Sequence, residues 1–174
     1  LRQLQPDRFE EIIAVVALFR PGPMDNIPSF CNRKHGREEI KYLHSMLKDV
    51  LKETYGIIVY QEQIMKIAQV ISGYTLGQAD LLRRAIGKKI KAELMSQKDN
   101  FIKGAINKKV RSKDAEKLFS LIEKFAEYGF NKSHAAAYAF ITYYTAYLKA
   151  HFPLEFYCEL LNNSLNNTDK IFVI

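Results

Sequence analysis

Apolar residues recur at three- and four-residue spacing along almost the whole 174-residue chain, which is the spacing of amphipathic helices. The first such run consists of Phe9, Ile12, Ile13 and Val16. No stretch alternates apolar and polar residues for long enough to build a sheet, and residues 57–59 would form at most a very short strand near Ile57 and Val59. The pattern therefore predicts an all-α fold, with residues 1–174 forming a single helical unit.

Glycine and proline divide this pattern into separate helices. The segment Arg20-Pro-Gly-Pro23 excludes a helix, and Gly73 and Gly129 are each predicted to end one. Further boundaries are predicted at Pro6 in a first turn, at Gly36 and Gly87 as stops, and at Ser112 and Ser133 as N-caps. The resulting helices include 27–35, 76–86, 91–107 and 133–151. Both chain ends are typical of a piece of a longer protein.

Charge and cysteine content narrow the kinds of partner and compartment. The formal net charge is +7 and the pI is about 9.3, which favours a polyanionic partner. Cys31 and Cys158 are far apart and are interpreted as reduced thiols of a cytoplasmic protein. Cys31 and His35 share a helical spacing, but no second ligand pair follows, so no metal site is predicted. No apolar run reaches the length of a membrane span.

Four cations occupy seven positions at the end of one predicted helix: Arg83, Arg84, Lys88 and Lys89. Cations at a helix C-terminus complement the helix dipole, and Asp80 is spaced to pair with both arginines. Guanidinium groups also match phosphate oxygens with two parallel donors. Because adjacent arginines on a helix point about 100° apart, both could reach one triphosphate only if it lay across the helix end. The spacing alone leaves the structural and phosphate-binding interpretations equally open.

Residues 128–138 (YGFNKSHAAAY) combine several chemically useful side chains around a glycine. A phenol, a carboxamide, an ammonium, a hydroxyl and an imidazole suit a ligand that is flat at one end and anionic at the other, such as a nucleotide. Ser133 and His134 do not form a hydrolase arrangement, and Ser133 is predicted to be a helix cap. The tyrosines that follow on the same helix, at 138, 143, 144 and 147, are predicted to be core rather than a base-stacking surface. The sequence shows no close carboxylate pair that suggests a two-metal site.

Taken in order, several motifs resemble one known family. They are LFRPGPM (18–24), RKHG (33–36), TYGIIVYQEQ (54–63), SGYTLG (72–77), LRRAIGKK (82–89), FAEYGFNKSHAAAYA (125–139) and YLKAHFP (147–153). Together they closely resemble the alpha subunit of bacterial DNA polymerase III, a replicative polymerase of the C family. The resemblance covers nearly the whole chain, and so many motifs in order make a chance match unlikely.

The resemblance implies a part of the fingers domain, which closes over the incoming deoxynucleoside triphosphate. By resemblance, Arg83 and Arg84 would neutralise the triphosphate, and Tyr128, Asn131 and His134 would line the nucleotide pocket. The catalytic aspartates and their Mg²⁺ ions would lie in the palm, outside these residues, so the piece alone would be inactive. Implied partners are primer–template DNA, the nucleotide, the sliding clamp and other replisome subunits, without a membrane. Phosphates of DNA or nucleotide would contact the lysines at 88, 89 and 132.

Two other interpretations remain open. A basic helical module could hold template or primer without contacting the nucleotide, and it would need cations but not Tyr128, Asn131 and His134. A purely structural interaction domain would not need the cations around Arg83. The first of these is the main alternative to nucleotide binding.

Overall fold

The computed structural model describes residues 1–88, 91–126 and 128–171, and within these ranges the all-α prediction is confirmed. The helices are α1 (Phe9–Leu18), α2 (Ile27–Lys34), α3 (Lys48–Leu51), α4 (Gln61–Ser72), α5 (Leu76–Lys88), α6 (Lys91–Asn107), α7 (Ser112–Ala126), α8 (Lys132–His151), α9 (Pro153–Asn162) and α10 (Thr168–Ile171). Short 3₁₀ turns occupy Pro23–Asn26, Ser45–Leu47 and Lys52–Thr54. In the described residues the extended segment before α4 forms no strand, and its only pairing is an isolated parallel bridge between Tyr60 and Phe130.

Several predicted helix ends are confirmed and others are wrong. Gly73 ends α4 with a φ of 72°, in the left-handed region that glycine adopts without strain. Gly87 was predicted to stop α5, but the helix continues through it to Lys88, because one glycine inside a helix costs only about 1 kcal/mol. Ser112 is the first residue of α7 and not the cap before it. Helix α1 begins at Phe9, so Pro6 is not in its first turn.

The buried side chains form two groups that meet at residues 57–60, just before α4. The larger group packs α4, α5, α6 and α7 together, with Ile67, Phe101 and Phe119 fully buried. The smaller group packs α1, α2, α8 and the segment before α4. Burial of these apolar surfaces is the main stabilising term in the fold. The arrangement places the N-terminus of α4 beside the N-terminus of α8, where the candidate site lies.

Helices α4 and α6 approach each other closely at one glycine. Gly104 lies against the backbone of Ser72, and a Cβ atom built on Gly104 would be 2.3 Å from the Ser72 carbonyl oxygen. The Ser72 hydroxyl also donates a 2.8 Å hydrogen bond to the Phe101 carbonyl oxygen. The absence of a side chain at position 104 therefore sets the distance between these two helices.

A buried ion pair joins α1 to α2. The Glu11 side chain is fully buried, and its carboxylate accepts a 2.5 Å hydrogen bond from the Lys34 ammonium and another from the Tyr55 hydroxyl. Lys34 also donates to the Gln5 carbonyl oxygen at 2.7 Å and to Asp7 at 3.2 Å. Burial alone would lower the pKa of Lys34, but the hydrogen bonds to Glu11 and Asp7 outweigh it and raise the pKa.

Helix α8 packs on α1 by one side only. Ala135 and Ala139 are fully buried there, and the Phe140 ring lies 4.6 Å from the Phe9 ring, centroid to centroid. The tyrosines predicted to be core are between 46% and 57% exposed: Tyr138, Tyr143, Tyr144 and Tyr147. The core prediction for this stripe is therefore wrong for the described chain, because alanines form the buried part of the contact with α1, and Tyr143 meets the Phe9 ring only edge-on at 6.1 Å.

Candidate functional site

The loop between α7 and α8 is fixed to the start of α4 by backbone hydrogen bonds. The Phe130 amide donates to the Val59 carbonyl at 3.1 Å, and the Gln61 amide donates to the Phe130 carbonyl at 3.0 Å. The Gln61 side chain adds a 3.2 Å hydrogen bond from Nε2 to the Gly129 carbonyl. These contacts hold the backbone of residues 129–130 in one position and thereby orient the side chains on either side.

Arg20 holds the same loop from the opposite side. Its Nη2 donates a 2.6 Å hydrogen bond to the Tyr128 carbonyl, its Nε donates to the Ala17 carbonyl at 2.9 Å, and its guanidinium lies 4.3 Å from the Phe130 ring centroid. Desolvation by burial lowers the pKa of Arg20. Sequence reasoning missed this residue, because Arg20 and Tyr128 are 108 positions apart.

The Tyr128 ring packs closely on Gly22. Gly22 has a φ of 93°, and a Cβ atom at this position would lie 2.7 Å from a carbon of the Tyr128 ring. Only glycine combines this backbone conformation with so close an approach. The stiff Pro-Gly-Pro loop therefore forms a backing surface for Tyr128, whose side chain is still 42% exposed.

The first turn of α8 is capped by protein groups. The Asn131 Oδ1 atom accepts a 2.9 Å hydrogen bond from the His134 amide, so Asn131 is the N-cap and the prediction for Ser133 is wrong. The Glu62 carboxylate accepts hydrogen bonds from the Lys132 amide at 3.1 and 3.2 Å. The anion at this helix N-terminus is thus a side chain of α4. Asn131 lies in the predicted site, with its carbonyl oxygen engaged as a cap.

His134 lies between two aromatic rings on the exposed side of this turn. Its ring centroid is 5.4 Å from that of Phe130 and 4.9 Å from that of Tyr138. Both His134 and Tyr138 are exposed. Such a row of rings presents aromatic surfaces and one pair of imidazole nitrogens to a ligand, which suits stacking against a nucleobase or contact with a sugar.

Arg83 and Arg84 share the carboxylate of Asp80. Arg83 donates from Nε at 2.9 Å and from Nη2 at 2.7 Å to one oxygen, and Arg84 Nη2 lies 2.8 Å from the other. The hydrogen bonds from Arg83, helped by the nearby charge of Arg84, lower the pKa of Asp80. The ion pair expected from the spacing is therefore present. It leaves the Arg84 side chain 61% exposed and the Arg83 side chain 31% exposed.

Gln61 connects Arg83 with residues 128–131 of the α7–α8 loop, which are here named the aromatic loop. The Nη1 atom of Arg83 makes a long, 3.5 Å contact with the Gln61 Oε1 atom, and the other groups of Gln61 bind Gly129 and Phe130 as described above. No such connection is seen for Arg84 among the described residues. The structure therefore connects Arg83, through Gln61, with the loop that carries Tyr128 and Asn131 and leads into His134.

Comparison with known proteins places this sequence in a family. Residues 1–109 match the family described as "Bacterial DNA polymerase III alpha subunit finger domain". The chain is 56% identical over 171 residues to the DNA polymerase III subunit alpha of Rickettsia bellii, 54% over 171 to that of Xylella fastidiosa, and 56% over 173 to that of Caulobacter vibrioides. These alignments cover 98–99% of this chain and 14–15% of the relatives. The chain belongs to the DNA polymerase III alpha subunit family.

The range matched by the finger-domain family contains only part of the candidate site. Arg20 and Arg83 lie inside the matched finger-domain range, whereas Tyr128, Asn131 and His134 follow it. All five lie within a chain that aligns with the relatives over nearly its whole length. The two parts of the site are thus far apart in sequence and are joined in the structure by the α4 N-terminus.

The remaining predicted cations differ in their surroundings. Lys88 is the last residue of α5 and is exposed, whereas Lys89 lies outside the described residues. Lys132 is half-buried, and its ammonium lies 2.7 and 2.8 Å from the two Glu53 carboxylate oxygens and 5.4 Å from the Tyr60 ring centroid. Of these lysines, Lys88 has the surroundings expected for a solvent-facing contact with phosphate.

The described part of this polymerase III homologue has neither a cluster of metal-ligating side chains nor a membrane-spanning helix. Residues 1–88, 91–126 and 128–171 contain no group of three or more histidines, cysteines, aspartates or glutamates able to hold a metal ion. Cys31 is buried, and His35 Nε2 lies 3.0 Å from the Gln3 carbonyl oxygen. In the same ranges no helix has both the length and the apolar character needed to cross a bilayer.

Proposed function

We propose that this chain is the fingers region of a replicative, DNA-directed DNA polymerase, where it binds and orients the incoming deoxynucleoside triphosphate. The observation that carries the proposal is the contact chain from Arg83 through Gln61 to Gly129 and Phe130. The two ends of this contact chain are a guanidinium, a group suited to binding phosphate, and an exposed row of aromatic rings, and this pairing supports the proposal. A nucleotide has the matching chemistry, with an anionic triphosphate and a flat base.

The proposed roles follow from the surroundings of each residue. Arg83 neutralises the triphosphate, with Arg84 as a second cation on the solvent side. Tyr128 and His134 contact the base or sugar, and Asn131 shapes the pocket while its oxygen caps α8. Lys88, which is exposed, contacts phosphates of the nucleotide or of primer–template DNA together with Lys89 and Lys132. In this proposal the residues are parts of one helical unit of a longer polypeptide.

The chemical step belongs to residues outside this chain. Two Mg²⁺ ions, bound by palm aspartates, would activate the primer 3′-hydroxyl and stabilise the departing pyrophosphate. The residues of this chain hold and orient the nucleotide, and we expect the chain alone to be inactive. The whole polymerase would act in the cytoplasm with a sliding clamp and other replisome subunits.

The Arg83→Ala variant of the intact polymerase tests this function. We expect kcat/KM for the nucleotide to fall by about ten- to a hundredfold, because one charged contact with the triphosphate contributes about 1.5–3 kcal/mol. Steady-state primer extension at varied nucleotide concentration measures this change. Primer–template affinity, measured separately by titration, is expected to stay the same.

Arg84→Ala is the matched control, since Arg84 shares Asp80 with Arg83 but has no contact with Gln61 among the described residues. It is expected to have a smaller effect on nucleotide use. If Arg83→Ala weakens DNA binding and leaves nucleotide use normal, the chain is instead a basic module that holds template or primer. If neither property changes, Arg83 is only the structural partner of Asp80.

A second test concerns the choice between deoxyribonucleotides and ribonucleotides. The Tyr128 ring is held against Gly22 by a close approach and by the bond from Arg20 to its carbonyl, so it forms a fixed wall. We expect Tyr128→Ala to raise ribonucleotide incorporation relative to deoxyribonucleotide by about tenfold, because a 2′-hydroxyl then finds room. His134→Ala is measured in parallel. If both variants discriminate between the two kinds of nucleotide as the wild type does, this site does not select the sugar.

A further inference from the structure

Helix α8 carries a large apolar surface that the described chain does not cover. Between residues 138 and 154, nine large apolar side chains are exposed: Tyr138, Phe140, Ile141, Tyr143, Tyr144, Tyr147, Leu148, Phe152 and Leu154. Three of them lie on the side of α8 opposite the buried Ala135 and Ala139, and these three, Ile141, Tyr144 and Leu148, are here named the outer face of α8. Contiguous exposed apolar surfaces of this kind mark interaction sites.

The charge pattern of α8 identifies the kind of partner. Residues 133–148 contain no aspartate, glutamate, lysine or arginine over 16 consecutive positions. Surfaces that bind the DNA backbone need cations to neutralise phosphates, and this stretch has none. Of the two flanking lysines, Lys132 is paired with Glu53, and Lys149 lies 5.3 Å from the Tyr157 ring centroid. A helix that is apolar on all sides is typical of one buried inside a large protein.

A groove beside the outer face extends the same surface onto α9. Leu148, Phe152, Phe156 and Leu160 line a cavity of about 310 Å³ between the two helices. Its acidic residues, Glu155 and Glu159, would repel DNA phosphates. The groove and the outer face therefore both suit an apolar protein surface.

The lengths of the relatives indicate what covers this apolar surface. Relatives that are 54–56% identical over 98% of this chain are about seven times longer, since the chain covers 14–15% of them. Their alignment with this chain includes α8 and α9. Segments of the same polypeptide are tethered beside this surface at high effective concentration, whereas a separate protein must bind from solution.

We propose that the outer face of α8 and the α8–α9 groove are covered by other segments of the same polymerase polypeptide, from outside these 174 residues. This makes α8 a helix buried between two parts of the polymerase, with Ala135 and Ala139 against α1 and the outer face against the second part. The inference depends on membership of the polymerase III family and not on the proposed nucleotide site.

Photo-crosslinking in the intact polymerase on primer–template DNA tests this inference. The aromatic crosslinker p-benzoylphenylalanine replaces Tyr144, with the same replacement at Met95 on α6, which is 72% exposed, as the control. We expect residue 144 to crosslink to a peptide of the same polypeptide outside the 174 residues, with the product migrating as a monomer. Crosslinks mainly to DNA, to a second polymerase copy, or only within these 174 residues would overturn the proposal, as would the absence of crosslinks.

A charge substitution gives an independent measurement. Ile141 and Met95 are both highly exposed in the described chain, at 59% and 72%. We expect Ile141→Glu to lower the apparent melting temperature of the intact polymerase by about 3 °C or more, because a carboxylate would be buried in an apolar contact. Met95→Glu is expected to change it by less than about 1 °C. Equal shifts for the two variants would mean that the outer face remains in solvent.

Discussion

Replacing Lys34 with methionine is expected to lower the free energy of unfolding by about 3–5 kcal/mol. The Lys34 ammonium lies 2.5 Å from the carboxylate of Glu11, and the two side chains are 9% and 0% exposed. Methionine fills a similar volume but leaves the buried carboxylate with only the more distant Arg8 guanidinium, 3.9 Å away, as a cation. Removing the close partner of a buried charge is strongly destabilising. Equilibrium urea unfolding of the chain, followed by the helical circular dichroism signal, measures the loss.

Two controls separate this ion pair from a general effect of losing a lysine. Lys52 lies 3.0 Å from Asp49, but both side chains are largely exposed, so Lys52→Met should cost less than about 0.5 kcal/mol. In a Glu11→Gln background, Lys34→Met should cost much less than in the wild type, because the charge to be compensated is gone. Equal costs in the two backgrounds would contradict the buried ion pair as the cause.

The pH dependence of the Lys34 contribution has a definite sign. Hydrogen bonds to Glu11 and Asp7 raise the pKa of Lys34 above its ordinary value of 10.5, despite the opposing effect of burial. The stabilisation is therefore fully present below pH 10.5 and is lost as the pH rises through the raised pKa. The stability difference between wild type and Lys34→Met should accordingly narrow only in strongly alkaline solution.

Gly104→Ala is expected to destabilise the chain by about 2–3 kcal/mol. The added Cβ atom would lie 2.3 Å from the Ser72 carbonyl oxygen, and this oxygen belongs to the backbone of α4 and cannot rotate away. Helices α4 and α6 must separate, which also lengthens the bond from the Ser72 hydroxyl to Phe101. The penalty is of the size seen when well-packed cores are overfilled, and it outweighs the gain of about 1 kcal/mol in helix propensity.

Gly77→Ala is the matched control for Gly104→Ala. Gly77 also lies in a helix, but nothing stands within 4 Å of its added Cβ atom. Alanine at position 77 should therefore leave stability unchanged or raise it by up to about 1 kcal/mol. Urea unfolding of the two variants distinguishes them, and a Gly104→Ala variant as stable as wild type would mean that the helices are not held at this distance.

The sequence predicted well those features that depend on neighbouring residues. The helix class, the stop at Gly73 and the pairing of Asp80 with two arginines follow from spacing within a few positions. Predictions that required a choice between equivalent local signals were less accurate. Asn131 and Ser133 are both good N-caps, and only the loop anchored at Val59 decides that Asn131 takes the role. Exposure of the α8 tyrosines depends on what packs against the helix, which periodicity does not encode.

The candidate site was predicted in part for the same reason. Arg83, Tyr128, Asn131 and His134 carry recognisable chemistry, and the family resemblance assigned them. Arg20 was missed because its significance depends on a contact with a residue 108 positions later. Gln61, which connects the arginine of α5 with the aromatic loop, was missed for a similar reason, since a glutamine near a helix start has no distinctive local signal.

The α7–α8 loop is attached to residues much earlier in the chain, so its contacts can form only late during synthesis. Arg20 and the Val59 carbonyl bind residues 128 and 130, which a ribosome adds 108 and 71 positions later. At a typical rate of 5–20 residues per second, the nascent chain carries Arg20 without this partner for on the order of 5–20 s. The residues of α4 to α7 are all synthesised before then, whereas the aromatic loop and α8, which packs on α1, follow them. A chain that ends before residue 128 would therefore contain α1 to α7 but no candidate site.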